Sequence, residues 1–114
     1  MKFFDLHCDT ATVAVKKGAG LSRNGLQLDL AKLGEHRLCQ SYAVFIPDHL
    51  RGDAAWQYFV RCHAYWQGRI AAADDMTLLQ YPADAKETWQ DGKNACFFAV
   101  EGGAVLAGEA EKVS

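Results

Sequence analysis

Two short strings in the sequence contain side chains that could bind a metal ion. His7, Cys8 and Asp9 follow an apolar segment near the start of the chain, and Glu101 follows another apolar segment. An imidazole nitrogen and a carboxylate oxygen are both good ligands for zinc. Residues two apart on a strand share a face, about 6.5–7 Å apart along the chain, so His7 and Asp9 can converge on one ion. A metal site with His7, Asp9 and Glu101 as ligands is therefore one interpretation of these two strings.

Each string also has a purely structural interpretation, and both interpretations stay open at this point. His7 could be a hydrogen-bonded core histidine, and Asp9 could cap the helix that follows through Thr10. Glu101 could be an exposed carboxylate at a strand end, before a turn made by the two glycines that follow. A carboxylate that emerges from a buried strand is costly unless it is paired or bound to a cation. If the two strands are close in one barrel, Glu101 would lie near His7 and Asp9. Together, the two strings favour the metal site more than either does alone.

The elements that must position these residues are parallel strands joined by crossover helices, because apolar runs and helix-period segments alternate along the chain. Functional sites in such folds gather at the carboxyl ends of the strands, where both strings lie. The predicted strands span residues 3–8, 38–46 and 95–100, with a brief extended stretch at 77–80. The predicted helices span residues 11–17, 30–36 with Asp29 as the cap, 53–73 with Asp53 as the cap, and 82–90, and residues 104–114 have helical composition.

The composition is that of an ordinary globular chain and excludes several classes of function. The 114 residues are 50% hydrophobic and 23% charged, with 12 Lys+Arg, 14 Asp+Glu and a net charge of -2. Duplex nucleic acid requires a basic surface, which this balance does not supply, so nucleic acid is not an expected partner. No apolar run approaches the roughly 20 residues that span a bilayer. Asp5 interrupts any signal-peptide pattern at the start, so we expect a cytoplasmic protein without a membrane partner.

The other reactive or aromatic side chains are predicted to have packing roles. The four cysteines are widely spaced beside apolar segments and include no C-x-x-C pair, so we expect buried, reduced thiols and no cysteine zinc site. The remaining histidines lie away from strand ends and are expected to be solvated or packed: His36, His49 and His63. Five aromatic residues are assigned to core and helix packing: Trp56, Tyr58, Tyr65, Trp66 and Trp89.

Four strings of the sequence, taken in order, resemble one known family. FDLHCDT at residues 4–10 resembles the opening D-x-H-x-D strand of the zinc dipeptidases of the renal or membrane dipeptidase family, peptidase family M19. LDLAKL at 28–33 resembles the segment before that family's second strand, and QSYAVFIP at 40–47 resembles the strand itself. FAVEGG at 98–103 resembles its strand ending in E-G-G. Each string is weak alone, but their order and spacing agree over the whole chain.

The resemblance implies an α/β fold, the amino-terminal part of a (β/α)8 TIM-type barrel, with two divalent metal ions that are usually zinc. It implies that His7 and Asp9 bind one ion and that Glu101 bridges both. Asp9 and Glu101 are thereby the expected catalytic residues. A water held between the ions attacks the peptide carbonyl of a dipeptide in that family, often with tolerance for a D-residue at the carboxyl end. The implied function is that of a zinc-dependent dipeptidase with a dipeptide as substrate.

The length of the chain is the main departure from this family. A (β/α)8 barrel takes about 250 residues, so residues 1–114 are expected to form one incomplete domain from the start of a longer chain. The family's second-site histidines and substrate-handling residues lie beyond the E-G-G strand. We therefore expect the isolated piece to be inactive. We also expect it to be prone to associate, including as homo-oligomers, through unpaired strand edges.

Two other functions remain as alternatives to the dipeptidase. Another metal-dependent hydrolase of barrel fold, such as a TatD-like nuclease or an amidohydrolase, usually opens with H-x-H, and Asp9 occupies the position of the second histidine. A small non-catalytic α/β module that binds a partner could instead use His7, Asp9 and Glu101 for local hydrogen bonds. The metal content of the protein distinguishes the module from either hydrolase.

Overall fold

Four parallel strands form the sheet that carries the candidate ligands. In the computed structural model, which describes residues 1–113, they are β1 (Lys2–Cys8), β2 (Arg37–Phe45), β3 (Met76–Leu78) and β4 (Asn94–Glu101). The strand order in the sheet is β1-β2-β4-β3, and every neighbouring pair is parallel. The short β3 pairs with the first residues of β4, on the edge of β4 opposite β2.

Helices connect these strands, as the alternation in the sequence predicts. They are α1 (Thr10–Lys17), α2 (Gly52–Ala71) and α3 (Ala85–Gln90). Short 3₁₀ helices occupy Leu30–Lys32, Pro82–Asp84, Gly103–Leu106 and Ala110–Val113. Parallel strands with crossover helices confirm the predicted α/β class. Among the described residues, no helix has both the length and the apolar character needed to cross a membrane.

Three predicted helices differ from the observed ones for local reasons. The helix predicted over 30–36 is one 3₁₀ turn, because Gly34 adopts a left-handed backbone with φ of 55°. Asp29 does cap that turn, since its Oδ1 accepts a hydrogen bond from the Lys32 amide at 3.1 Å. In α2 the capping position is Arg51, and Asp53 lies within the first turn. In place of the helix predicted from residue 104 onward, the described residues form two 3₁₀ helices, Gly103–Leu106 and Ala110–Val113, because Ala107 between them has a φ of 52°.

Trp66 joins three elements at the centre of the core. Its side chain is fully buried on α2, and its ring stacks on that of Tyr42 in β2 with the centroids 5.2 Å apart. The indole Nε1 donates a hydrogen bond to the Ala11 carbonyl in α1 at 2.9 Å. The other aromatic residues named above are partly buried against the same core or its neighbours. Their predicted packing role is confirmed.

The two faces of the sheet have different neighbours. Tyr42 and Cys96 cluster with Trp66, so these residues and those two positions away from them along β2 and β4 face α2. Phe45 is paired in register with Glu101, one residue out of step with that set. Glu101 therefore points to the side of the sheet opposite α2. This separation of faces decides which side chains can meet at the carboxyl ends of the strands.

The β1 strand is an edge of the sheet and is the least buried strand. Its residues are exposed from Lys2 to His7, and its large apolar side chains include Phe3, Phe4 and Leu6. Phe4 still contacts the ring of Phe97 in β4, with the centroids 5.9 Å apart. Within residues 1–113, the outer edge of β1 has no strand beside it.

Candidate metal centre

The three predicted ligands converge at the carboxyl ends of β1 and β4. His7 Nε2 lies 3.4 Å from Asp9 Oδ1 and 3.3 Å from Glu101 Oε2. One donor atom from each of the three residues lies within 4.8 Å of the other two. The side chains are about half exposed, at 53% for His7, 60% for Asp9 and 50% for Glu101. The histidine is therefore not a core histidine, and it faces two carboxylates at an open end of the sheet.

An irregularity in β1 positions His7. Asp5 is paired with Gln40 and Cys8 with Tyr42, so two residues of β1 lie opposite the single residue Ser41 of β2. One extra residue in a strand is a β-bulge, a feature that is frequent beside active sites and re-aims a side chain. At this bulge the amide of His7 donates a hydrogen bond to Asp5 Oδ1 at 3.1 Å.

Asp9 reaches the site from the turn between β1 and α1, not from the strand. It occupies the capping position of α1 with φ of -83° and ψ of 1°, and its carboxylate makes no capping hydrogen bond. Thr12 Oγ1 donates instead to the backbone carbonyl of Asp9 at 3.2 Å. The expected convergence of His7 and Asp9 is present, but a strand-to-helix turn produces it rather than the two-residue alternation of a strand.

Glu101 is positioned by the last residue pair of β2 and β4 and by the glycine after it. The Ile46 amide donates a hydrogen bond to the Glu101 carbonyl at 2.9 Å. Gly102 has a φ of 110°, and a Cβ added there would lie 3.3 Å from the Cβ of Ile46. A Cβ added at Gly103 would meet no atom within 4 Å. The requirement for glycine in the E-G-G string therefore falls on Gly102.

The donor set fits a divalent ion such as zinc. Zinc binds nitrogen and oxygen ligands at about 2.0–2.2 Å in tetrahedral geometry, which places two ligands of one ion roughly 3.3–3.5 Å apart. The separations of His7 from Asp9 and from Glu101 are 3.4 Å and 3.3 Å. Hydrogen bonds from nitrogen to oxygen are usually shorter, at about 2.7–3.2 Å. The spacing of His7 from each carboxylate, and the chemistry of the three side chains, thus suit ligands around a shared cation.

A cleft of about 690 Å³ opens beside His7 and Asp9. One wall is formed by the end of β1 and the start of α1, and the other by a loop at residues 25–28. Asn24 organises this loop, since its Nδ2 donates to the carbonyls of Gly20 and Leu28, both at 3.0 Å. This loop was not predicted to lie at the site. The Asn-Gly pair at residues 24–25 indicates a turn, but not that the turn folds back against β1.

The other histidines lie elsewhere, as predicted. His36 Nδ1 is 3.1 Å from the amino group of Met1, and His49 is exposed in the segment after β2. His63 packs between two rings, with its centroid 5.5 Å from Phe59 and 4.9 Å from Phe98. Burial lowers the pKa of His63. Among residues 1–113, only His7, Asp9 and Glu101 form a group of three or more possible metal ligands.

Comparisons with known proteins identify the relatives of this chain. The family model described as membrane dipeptidase (peptidase family M19) matches residues 1–114. A solved structure, that of dipeptidase AC, a metallopeptidase of family M19, is similar with a TM-score of 0.79 at 17% sequence identity. The match covers 99% of this chain and 40% of that one, so the chain spans less than half of the solved dipeptidase. No curated protein matches the chain.

Proposed function

Because the chain belongs to the membrane dipeptidase family, peptidase family M19, we propose that the full-length protein hydrolyses dipeptides in a metal-dependent reaction. The observation that carries this proposal is the convergence of His7, Asp9 and Glu101 at the carboxyl end of the sheet. These are the residue types and the location that such a reaction requires. The family match favours this function over the nuclease and amidohydrolase alternatives.

We assign each of the three residues a place in holding the ions. His7 and Asp9 would hold one ion together, as the family resemblance implies and as their positions in β1 and the turn after it allow. Glu101 would join them from β4, and the two oxygens of its carboxylate could each serve as a ligand. Zinc is the proposed metal because the donors are one nitrogen and two carboxylates at suitable spacing. When bound, such ions supply an activated water and polarise the peptide carbonyl.

The surroundings of the three ligands suit a small, polar substrate. The cleft beside His7 and Asp9 has a volume of about 690 Å³, which is within the usual range of about 300–1,000 Å³ for small-molecule sites. Its lining includes the polar side chains of Thr10 and Gln27 together with the apolar side chains of Val13 and Leu26. The cleft therefore offers both hydrogen bonds and apolar contact to a dipeptide held next to the ions.

The experiment that tests this function measures turnover of a dipeptide panel by the full-length protein, with L- and D-residues at the carboxyl end. Turnover is expected to fall to background after dialysis against a chelator and to return when Zn²⁺ is added back. A longer peptide with a blocked carboxyl end is the matched substrate control and should not be cleaved. Undiminished turnover in the chelated protein would contradict the metal-dependent reaction. Absence of turnover in the zinc-loaded protein would favour the non-catalytic module.

We further propose that residues 1–114 alone do not hydrolyse dipeptides and tend to associate. Residues 1–113 bring together three possible ligands only, whereas two ions at about four ligands each require more donors than these. The exposed edge of β1, with Phe3, Phe4 and Leu6, is a surface for association. Dipeptide turnover by the purified 114-residue chain, or a strictly monomeric chain in sedimentation, would contradict these two expectations.

A further inference from the structure

Asp5 contacts the candidate metal centre without belonging to its ligands. Its Oδ1 accepts the hydrogen bond from the His7 amide at 3.1 Å, whereas the group of possible ligands comprises His7, Asp9 and Glu101. We propose that Asp5 is a positioning residue, whose carboxylate holds the β1 bulge in the conformation that directs the His7 imidazole toward Glu101. This inference rests on the proposed function, since it concerns the same metal centre.

The register of β1 shows why the bulge matters. If regular pairing continued from Asp5 and Gln40, His7 would lie opposite Tyr42, which faces α2. Glu101 points to the opposite side of the sheet. The extra residue in the bulge lets Cys8 take the place opposite Tyr42, so that His7 is released toward the side of Glu101. Without the bulge, the imidazole and the Glu101 carboxylate would lie on different faces.

The bulge has a cost that Asp5 offsets. A bulge leaves its extra residue outside the hydrogen-bonded ladder, so a backbone amide at this position needs another acceptor. The Asp5 carboxylate supplies that acceptor two residues earlier in the same strand. The contact therefore favours the bulged conformation over the regular strand.

The hydrogen bond to His7 argues against a direct role for Asp5 on the ion. Asp5 is exposed and lines the cleft beside His7 and Asp9, but the group of possible ligands comprises only His7, Asp9 and Glu101 among the described residues. The carboxylate of Asp5 is directed at the backbone of His7. We therefore expect Asp5 to affect metal binding through the orientation of His7, and an uncharged acceptor at this position to serve as well.

Three substitutions in the full-length protein separate these contributions. Asp5→Ala removes the acceptor, Asp5→Asn keeps an acceptor oxygen without the charge, and Asp5→Glu keeps the charge but moves it one methylene farther out. Asp74→Ala, an exposed aspartate between α2 and β3, is the matched control. The readouts are Co²⁺ affinity, from the visible absorption of the bound ion, and hydrogen exchange of the His7 amide in the metal-free protein.

We expect Asp5→Ala to weaken Co²⁺ binding by about 10- to 100-fold, the range found when partners of metal ligands are removed. Its His7 amide should exchange faster than in the unaltered protein. Asp5→Asn should stay close to the unaltered protein in both readouts, Asp5→Glu should bind Co²⁺ more weakly than Asp5→Asn, and Asp74→Ala should change neither. If Asp5→Ala does not fold, the comparison of Asn with Glu decides.

Two results would overturn the inference while leaving the proposed function intact. One is equal Co²⁺ affinity and equal His7 amide exchange in Asp5→Ala and the unaltered protein. The other is tighter Co²⁺ binding by Asp5→Glu than by Asp5→Asn, which would assign the effect to charge. Failure of the unaltered protein to bind Co²⁺ would instead overturn the proposed function.

Discussion

His7 Nε2 lies 3.3 Å from Glu101 Oε2, although the two strands that carry these residues are not neighbours. β2 lies between them and pairs with both β1 and β4. The contact therefore depends on two local departures from regular strand structure. One is the bulge that turns His7 within β1, and the other is the positive φ of Gly102 directly after Glu101. Each departure leads to an experiment.

Removal of a candidate carboxylate should abolish metal loading. We expect Asp9→Asn and Glu101→Gln in the full-length protein each to lower metal content and dipeptide turnover together, because an amide is a poorer ligand than a carboxylate for a divalent ion. Metal analysis after gel filtration and turnover at saturating dipeptide check this. Glu87→Gln, an exposed change on α3, is the matched control and should keep both properties. Full metal content in Glu101→Gln would remove Glu101 from the site.

Gly102 and Gly103 should respond differently to the same added methyl group. Gly102→Ala places a side chain at a φ of 110° and 3.3 Å from Ile46, so we expect a loss of about 1–3 kcal/mol and weaker metal binding through displacement of Glu101. Gly103→Ala meets open space and should change stability by about 0.5 kcal/mol or less. Urea unfolding and Co²⁺ titration of the two variants provide the comparison. Equal losses in the two variants would show that the positive φ of Gly102 has no special role in stability or in metal binding.

The sequence contains enough information to predict the fold class and the three residues that meet. Apolar runs at 38–46 and 95–100 correspond to β2 and β4, because strands buried between layers carry continuous apolar sequence. His7, Asp9 and Glu101 could be singled out because possible ligands stand near the ends of apolar segments, and the resemblance of these strings to the dipeptidase family favours a metal site over a structural role. These features depend on local sequence alone.

The arrangement that brings the residues together could not be predicted from the sequence. The bulge in β1 is defined by pairing with Gln40 and Tyr42, which are more than thirty residues away in sequence. The position of β3 beyond β4, rather than between β2 and β4, likewise depends on which strand edge remains available. The fold of residues 25–28 against β1 is also set by tertiary contacts, so its place in the cleft was missed.

The hydrogen bond from Trp66 to Ala11 should make replacement of this indole more destabilising than replacement of an indole that donates no hydrogen bond. Trp66→Phe leaves the Ala11 carbonyl without its donor and opens space beside Tyr42, so we expect a loss of about 1–3 kcal/mol. Trp89→Phe is the matched control, because the buried Nε1 of Trp89 has no hydrogen-bond partner among residues 1–113. Urea unfolding of both variants measures the difference. A greater loss in Trp89→Phe would contradict the role of the Trp66 hydrogen bond.

Asp29 should make stability depend on pH in the acid range. Burial opposes ionisation of Asp29, but hydrogen bonds from the amides of Asn24 and Lys32, and the charge of Lys32, outweigh it and lower its pKa below 3.8. A depressed pKa stabilises the folded state above pH 3.8, and this stabilisation is lost as the pH falls through the folded-state pKa. Asp29→Asn retains a capping oxygen. This variant should be less stable than the unaltered protein at pH 7, and the difference in free energy of unfolding between the two should become smaller below pH 3.8. Urea unfolding at several pH values tests this. A difference that does not change with pH would contradict it.

The cysteines should differ in reactivity toward alkylation of the native protein. Burial raises the pKa of Cys39 to about 11. The pKa of Cys96 is raised to about 12, mainly by burial. Cys62 is also buried with a raised pKa, for which burial is the main cause. All three thiols are therefore both protonated and covered at pH 8, whereas Cys8 is half-buried at the end of β1. Because the thiolate is the reactive form, iodoacetamide should label Cys8 first, and the other cysteines only after denaturation. Peptide mapping by mass spectrometry follows the order. Early labelling of Cys39 or Cys96 would show that the core around β2 and β4 opens in the native state.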